Sequence, residues 1–299
     1  MTARRKISEI LLASDLGGRC DRATERAAQL ARAWGARLTV VVAVEQDDPR
    51  TPSWRSAPAA RLARAEAELA EVLGGRGIDW RVVVASGRPH DVLLDVADQV
   101  GAQFIVTGTA RNELLGRSSP GRTVEALMRR APAPVLVVRR RPLKPYRDLL
   151  VPTDCSRAAE LALVGAIELL PRTDVALLHG YRVPFAGLVD EAANAPEFET
   201  WAQDHLDDFL ARVEARTGAA ARVRPLVEYG SPASLVAGYA RDRDPDLVVL
   251  GAHDRHGALG ALTPDLAGRL LMACDCDVLL VPEASAPADP PARSELPTA

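Results

Sequence analysis

The sequence is short of several things, and each shortage removes a class of function. Cysteine occurs four times, as Cys20, Cys155, Cys274 and Cys276. Their spacings fit neither a disulfide framework nor a zinc site, and Cys274-Asp275-Cys276 falls one residue short of a C-x-x-C pair. Reduced structural thiols are the expectation. Cationic excess is missing too: 37 Lys and Arg stand against 40 Asp and Glu, for a net charge of −3. No Lys/Arg block is interleaved with aromatics, so the chain lacks the basic field that holds nucleic acid. The densest basic run, Arg139-Arg140-Arg141, reads as a solvated connector. No segment approaches the run of about 20 apolar residues that a membrane span needs. After Arg4-Arg5-Lys6, Glu9 and Asp15 interrupt what would have to be the apolar region of a signal peptide. A soluble cytoplasmic protein is expected, with neither nucleic acid nor membrane among its partners. There is no G-x-x-x-x-G-K-[ST] loop, no G-x-S-x-G elbow and no H-E-x-x-H helix.

What the chain does have is a repeat of itself. Ile7 to Asp15 returns as Tyr146 to Asp154, an apolar run ending on Asp with a helical pattern behind it. Gly87-Arg88-Pro89 returns as Gly230-Ser231-Pro232, Phe104 to Gly108 as Leu247 to Gly251, and Val135 to Val138 as Val278 to Val281. The spacing is the same for the last three pairs and slips slightly for the Asp pair. A period of nearly half the chain is the size of a domain, so the chain is a tandem duplication, dividing near Arg141-Pro142. The expected units are residues 1–142 and 143–284, followed by a Pro/Ala/Ser-rich disordered tail, 285–299.

Within each half, short apolar runs alternate with amphipathic stretches, which predicts a parallel α/β sheet covered on both faces. Strands are expected at Ile10 to Ala13, Leu38 to Val44, Trp80 to Val84, Phe104 to Thr107 and Val135 to Val138. The second set is Leu149 to Val151, Val175 to His179, Val223 to Val227, Leu247 to Leu250 and Val278 to Val281. Helices are expected over about Asp21 to Trp34 and Ala60 to Leu73, with Gly74-Gly75 as a stop, and over Glu197 to Thr217. The loops 45–58 and 181–196 are long enough to cap a site or meet a partner, or to be plain surface insertions.

In open α/β sheets, ligands sit beyond the carboxyl ends of the strands where the connections diverge. Asp15, Asp154 and the loops after Gly108 and Gly251 land there. The order of apolar strand, Asp, helix, then strand, Gly-Thr, loop, Gly, helix, then Ala131-Pro132-Ala133-Pro134-Val135-Leu136-Val137-Val138, resembles the universal stress protein family. Asp154-Cys155-Ser156 is similar to that family's Asp-Gly-Ser opening, with Cys in the Gly position. The resemblance covers both halves and implies two open five-stranded sheets with helices on both faces, the adenine nucleotide alpha-hydrolase-like fold, packed as an intramolecular pseudo-dimer. The last strands of the halves would pair, hiding two edges, and a further face is left for a homodimer.

The resemblance also implies a non-enzymatic role in stress response and a nucleotide site, which in the first half would comprise Ala13, Ser14, Asp15, Val44, Gly108, Arg111, Gly121, Arg122 and Thr123. Asp15 would lie near adenine and ribose; the alternative is that it caps the following segment or satisfies a loop amide. The family's nucleotide-binding members carry a loop G-x2-G-x9-G-[ST], in which glycines let backbone N–H groups approach phosphates. Here Gly108 and Gly121 stand, but the other two positions are Arg111 and Arg122, cations that could themselves hold an anion. In the second half Gly251 stands, while Asp254, Pro264 and Asp265 replace the rest. A carboxylate about 4 Å from a phosphate costs on the order of 4 kcal/mol at a surface dielectric. Pro152, Thr153, Asp154 and Gly251 therefore mark a degenerate site, with Asp154 read as a loop cap. The cofactor expected is ATP or another adenine nucleotide in the first half only, and no metal beyond the magnesium that accompanies it. The rival readings are a slow ATPase or phosphotransfer enzyme using Asp15, for which only Asp15 and Asp21 are nearby acids, and a scaffold that binds no nucleotide. His253 and His256 lack a third ligand, and His179 reads as a satisfied, partly buried side chain.

Overall fold

A computed structural model describes residues 6–44, 58–109, 120–182, 191–252 and 264–283. The loop 45–57, Arg111, His253, His256 and the tail lie outside the described residues.

The first half reads β1 (Glu9–Ser14), α1 (Asp21–Trp34), β2 (Arg37–Val44), α2 (Pro58–Leu73), β3 (Trp80–Ser86), α3 (Pro89–Val100), β4 (Phe104–Gly108), α4 (Arg122–Arg130), β5 (Val135–Val138). The second repeats it as β6 (Asp148–Thr153), α5 (Arg157–Leu169), β7 (Asp174–Tyr181), α6 (Glu191–Thr217), β8 (Val223–Tyr229), α7 (Pro232–Arg243), β9 (Leu247–Ala252), α8 (Pro264–Ala273), β10 (Asp277–Pro282). All the expected strands are present. One helix starts earlier than expected: α6 runs through Pro196, which the sequence reading placed in the preceding loop. Proline removes one main-chain donor there, and the Thr200 hydroxyl donates to the Pro196 carbonyl at 2.8 Å.

The ten strands form one sheet in the order β3-β2-β1-β4-β5-β10-β9-β6-β7-β8. Within each half every pair is parallel; β5 and β10 meet antiparallel, with Leu136 opposite Leu279. Two sheets that would each end on an exposed edge are thereby fused, leaving β3 and β8 as the outer edges. Strand residues alternate between two cores, as a sheet covered on both sides requires. Ile10 and Leu12 join Ala27, Leu30, Leu69, Leu163 and Phe209 on the face covered by α1, α2, α5 and α6. Leu11 and Ala13 join Leu93, Leu127, Val236 and Leu270 on the opposite face. Both cores run unbroken across the β5–β10 seam.

The connector is only partly solvated: Arg141, Leu143 and Lys144 are exposed, but Arg139 and Arg140 are half-buried. Asp277, wholly buried at the start of β10, accepts the main-chain N–H groups of Arg139 and Arg140 at 2.7 and 2.9 Å and the Tyr146 hydroxyl at 2.6 Å. The Arg26 guanidinium of α1 lies 3.6 Å from the same carboxylate and 4.0 Å above the Tyr146 ring. Arg139 and Arg140 side chains donate to the carbonyls of Cys274 and Asp275. Gln29 and Arg22 of α1 donate to Pro142 and Arg139 carbonyls. The basic run reads as surface in one dimension because its partners are more than a hundred residues away.

Candidate functional site

β1 lies between β2 and β4, and β6 between β7 and β9, so each half diverges at the carboxyl end of its first strand. In the first half Ala13 and Ser14 close β1, and Val44 closes the neighbouring β2. Gly108 closes β4 on the other side, where a Cβ would stand 3.5 Å from the Arg19 carbonyl, so the loop after Asp15 folds over that strand end. The loop is built from short-range bonds. Ser14 Oγ accepts the Leu16 N–H at 3.0 Å, and Asp15 Oδ1 accepts the Gly17 N–H at 2.9 Å. The Cys20 thiol donates to Asp15 Oδ1 at 3.1 Å, and Arg19 reaches Oδ2 at 3.4 Å. Asp15 thus satisfies a loop amide, while its side chain remains one-third exposed. Burial, with the Asp15 carboxylate adding to it, pushes the Cys20 thiol up to about 11.

The second half rebuilds this turn from different residues. Thr153 Oγ1 accepts the Cys155 N–H at 2.9 Å and Asp154 Oδ1 accepts the Ser156 N–H at 3.0 Å. Leu16 (φ 57°) and Cys155 (φ 61°) both occupy the left-handed region. That is the reason Gly fits the middle of the Asp-Gly-Ser pattern, and a side chain there costs roughly 1–2 kcal/mol. Ser156 then caps α5, its Oγ accepting from Ala159 N–H, whereas α1 starts at Cys20 without a side-chain cap. Asp154 is therefore a turn residue and Ser156 is the cap. Asp154 Oδ2 is buried and, among the described residues, accepts no hydrogen bond.

His179 begins the half-buried end of β7. Its Nδ1 lies 3.0 Å from the Thr153 carbonyl, an acceptor, so that nitrogen carries the proton. The Cys155 sulfur is 3.9 Å from the same nitrogen and thus meets no imidazole base. Burial pushes the Cys155 thiol up to about 11, with Asp154 adding to it. The pair is not an activated nucleophile.

The far sides of the two sites differ more. Gly121 precedes α4 with φ 88° and ψ 150°, a conformation that needs glycine, and as the N-cap it has no side chain to cap the helix. The first-turn amides of α4, including those of Arg122 and Thr123, carry the positive end of the helix dipole. Arg122 is exposed and Thr123 half-buried. α8 begins instead at Pro264, which has no N–H to offer. At Gly251 a Cβ would meet the Ala158 carbonyl oxygen at 2.5 Å, so this glycine serves the close approach of α5 to β9. Pro152 and Thr153 are buried in the end of β6.

Two surface hollows, of about 470 and 500 Å³, open at the opposite rim, one around Glu9, Arg37 and Asp79 and the other around Asp174, Arg224 and Tyr239. Neither is lined by a residue of the sequence-derived sites. Among the described residues no group of three His, Cys, Asp or Glu side chains could hold a metal ion, and no helix is long and apolar enough to cross a membrane. Sequence reasoning did not single out Arg19 and Cys20, whose contacts with Asp15 depend on how the loop folds back.

Known proteins resemble this chain in the same two pieces. Residues 6–139 and 145–282 each match the universal stress protein family. A universal stress protein of Thermus aquaticus is 36% identical over 133 residues, 44% of this chain and 97% of that protein. Among solved structures, a universal stress protein of Archaeoglobus fulgidus superposes with a TM-score of 0.64 at 14% identity, covering 92% of this chain and 98% of that one. A protein of unknown function from Pseudomonas aeruginosa superposes at 0.62 and 19% identity, covering 94% and 95%. With two family matches and one duplicated fold, the chain belongs to the universal stress protein family as a tandem member.

Proposed function

We propose that the chain is a non-enzymatic stress-response module in which the first half binds one adenine nucleotide and the second half binds none. The observation that carries this is the difference between the two phosphate sides. α4 starts at a positive-φ glycine, which has no side chain to cap its first turn, whereas α8 starts at proline. The first-turn amides of such a helix fit a phosphate group. On the adenosine side, the Asp15 carboxylate is one-third exposed, within reach of a ribose hydroxyl. The Ala13 main chain, Val44 and Gly108, at three neighbouring strand ends, would border the base. Arg122, with Arg111, supplies charge where the family pattern has Ser/Thr and Gly. Magnesium would enter with the nucleotide.

The reading as a binding module is supported by the thiols, which are pushed up, and by His179, whose Nδ1 is spent on a carbonyl. The test is to purify the chain without added nucleotide, identify what it releases on denaturation by mass spectrometry, and follow melts with ATP, ADP and AMP. A ligand at 100 times its Kd adds about 2.7 kcal/mol, a shift of a few degrees. Release of an adenylate, with a shift lost in Asp15→Ala, is expected. An empty chain with flat melts would leave a scaffold, and hydrolysis abolished by Asp15→Ala would make the chain an enzyme.

A further inference from the structure

At the amino rim of the second half, a hollow of about 500 Å³ is lined by Asp148, Asp174, Arg222, Arg224, Tyr239 and Arg243, with main chain and apolar side chains between them. In its counterpart in the first half the charges at the strand starts pair with one another. Arg37 meets Asp79 at 2.7 Å, and Glu9 takes the Thr39 hydroxyl and lies 3.7 Å from Arg81. The second half has rewritten those places. Arg37, which heads β2, and Asp79, just ahead of β3, become Asp174 at the head of β7 and Arg222 just ahead of β8. Their ion pair does not re-form, and Arg222 donates instead to the Pro171 carbonyl. Thr39, which accepts from Arg81 at 2.8 Å, becomes Ala176, and Arg224 donates to the Tyr239 hydroxyl at 2.9 Å. Among the described residues, no carboxylate lies within 4 Å of Arg222, Arg224 or Arg243.

Helix α7 has changed in step with the strands. Val96 and Val100 of α3, buried and half-buried, give way to Tyr239 and Arg243. The places match because Gly101 and Asp244 end the two helices in the same left-handed conformation. Four residues apart, Tyr239 and Arg243 share one face of α7. Arg243 also answers the negative end of the helix dipole, but Arg224, inside β8, has no such duty. Tyr239 accepts from Arg224 and keeps its own proton to donate. Asp148 and Asp174, both exposed, face the hollow too. Against two carboxylates a monoanion gains little, whereas an anion of higher charge with several oxygens can bridge guanidinium forks from the strand side and the helix side.

We propose that this hollow binds a phosphate-bearing anion through Arg222, Arg224, Arg243 and the Tyr239 hydroxyl, at the opposite end of the sheet from Asp15 and Asp154. This stands whether or not the first half binds nucleotide. The full chain would be titrated by calorimetry with inorganic pyrophosphate against sodium chloride of equal ionic strength. Saturable binding is expected. Arg224→Gln and Arg243→Gln, exposed changes whose folding a melt confirms, should each weaken it about ten-fold. Arg147→Gln, exposed on the same rim but outside the hollow, should change it less than about two-fold. Heats no greater than those of sodium chloride would overturn the proposal, as would binding indifferent to both hollow variants. Binding that survives Arg224→Gln and is lost in Arg122→Ala would also overturn it, by placing the anion at α4. So would an equal loss in Arg147→Gln, which would make the attraction a diffuse field of the rim.

Discussion

Gly108 and Gly251 occupy the same place in the duplicated pattern but answer to different physics. A Cβ on Gly108 finds its nearest atom at 3.5 Å, ordinary contact; on Gly251 it meets main-chain atoms of α5 at 2.5 and 2.7 Å. Gly251→Ala should therefore cost about 1–3 kcal/mol or more by overpacking, and Gly108→Ala less than about 1, as read from chemical denaturation. Equal costs would contradict the packing argument. The thiols give a second residue-scale prediction. With Cys20 and Cys155 both at about 11, alkylation of the folded chain at pH 8 should be slower than that of the unfolded chain and should climb as pH approaches 11. The sequence made the Asp pair and the Cys in a glycine position visible, because both are matters of order. It could not show that Leu16 shares the left-handed φ, since an insertion after Asp15 hides the alignment, nor that Ser156 rather than Asp154 caps α5.

Among the elements, the strands were legible because each is a short apolar run bounded by turn residues. The early start of α6 was not, since proline ordinarily argues against a helix interior. The connector was legible only in part: Arg141 is solvated as expected, whereas Arg139 and Arg140 are half-buried against a carboxylate from the far end of the chain. Asp277→Ala would strip Arg26 and Tyr146 of that partner and leave a buried guanidinium uncompensated, so a loss of about 3–5 kcal/mol is expected by denaturant titration. A change below about 1 kcal/mol would mean that the node is incidental. Asp246 tests the other end of the connector. Burial opposes its ionisation, but the N–H groups of Arg147 and Asp148 and the Lys144 ammonium outweigh that and hold its carboxyl below the ordinary 3.8. A carboxylate so depressed stabilises the fold above its unfolded pKa, and that contribution fades as pH falls through its folded value. Asp246→Asn should thus lower the melting temperature at pH 7, and the gap to the native chain should close below pH 3.8.

At the scale of the molecule, the duplication accounts for the fold, and its asymmetries are what the proposed function rests on. The β5–β10 seam joins both cores, so the halves should unfold together, and Leu136→Ala should destabilise both in one transition by about 2–5 kcal/mol. Two separate transitions in calorimetry would show the seam to be weak. The pairing of the last strands was legible as an implication of resemblance, and the ionic node beside it was not, because it is made once per chain and no repeat announces it. The central claim is that one half binds a nucleotide and its twin does not. Calorimetric titration of the full chain with AMP and ATP tests it most directly. One nucleotide per chain, lost in Asp15→Ala and kept in Asp154→Ala, is the predicted result; two per chain, or one that survives Asp15→Ala and vanishes with Asp154→Ala, would contradict the account.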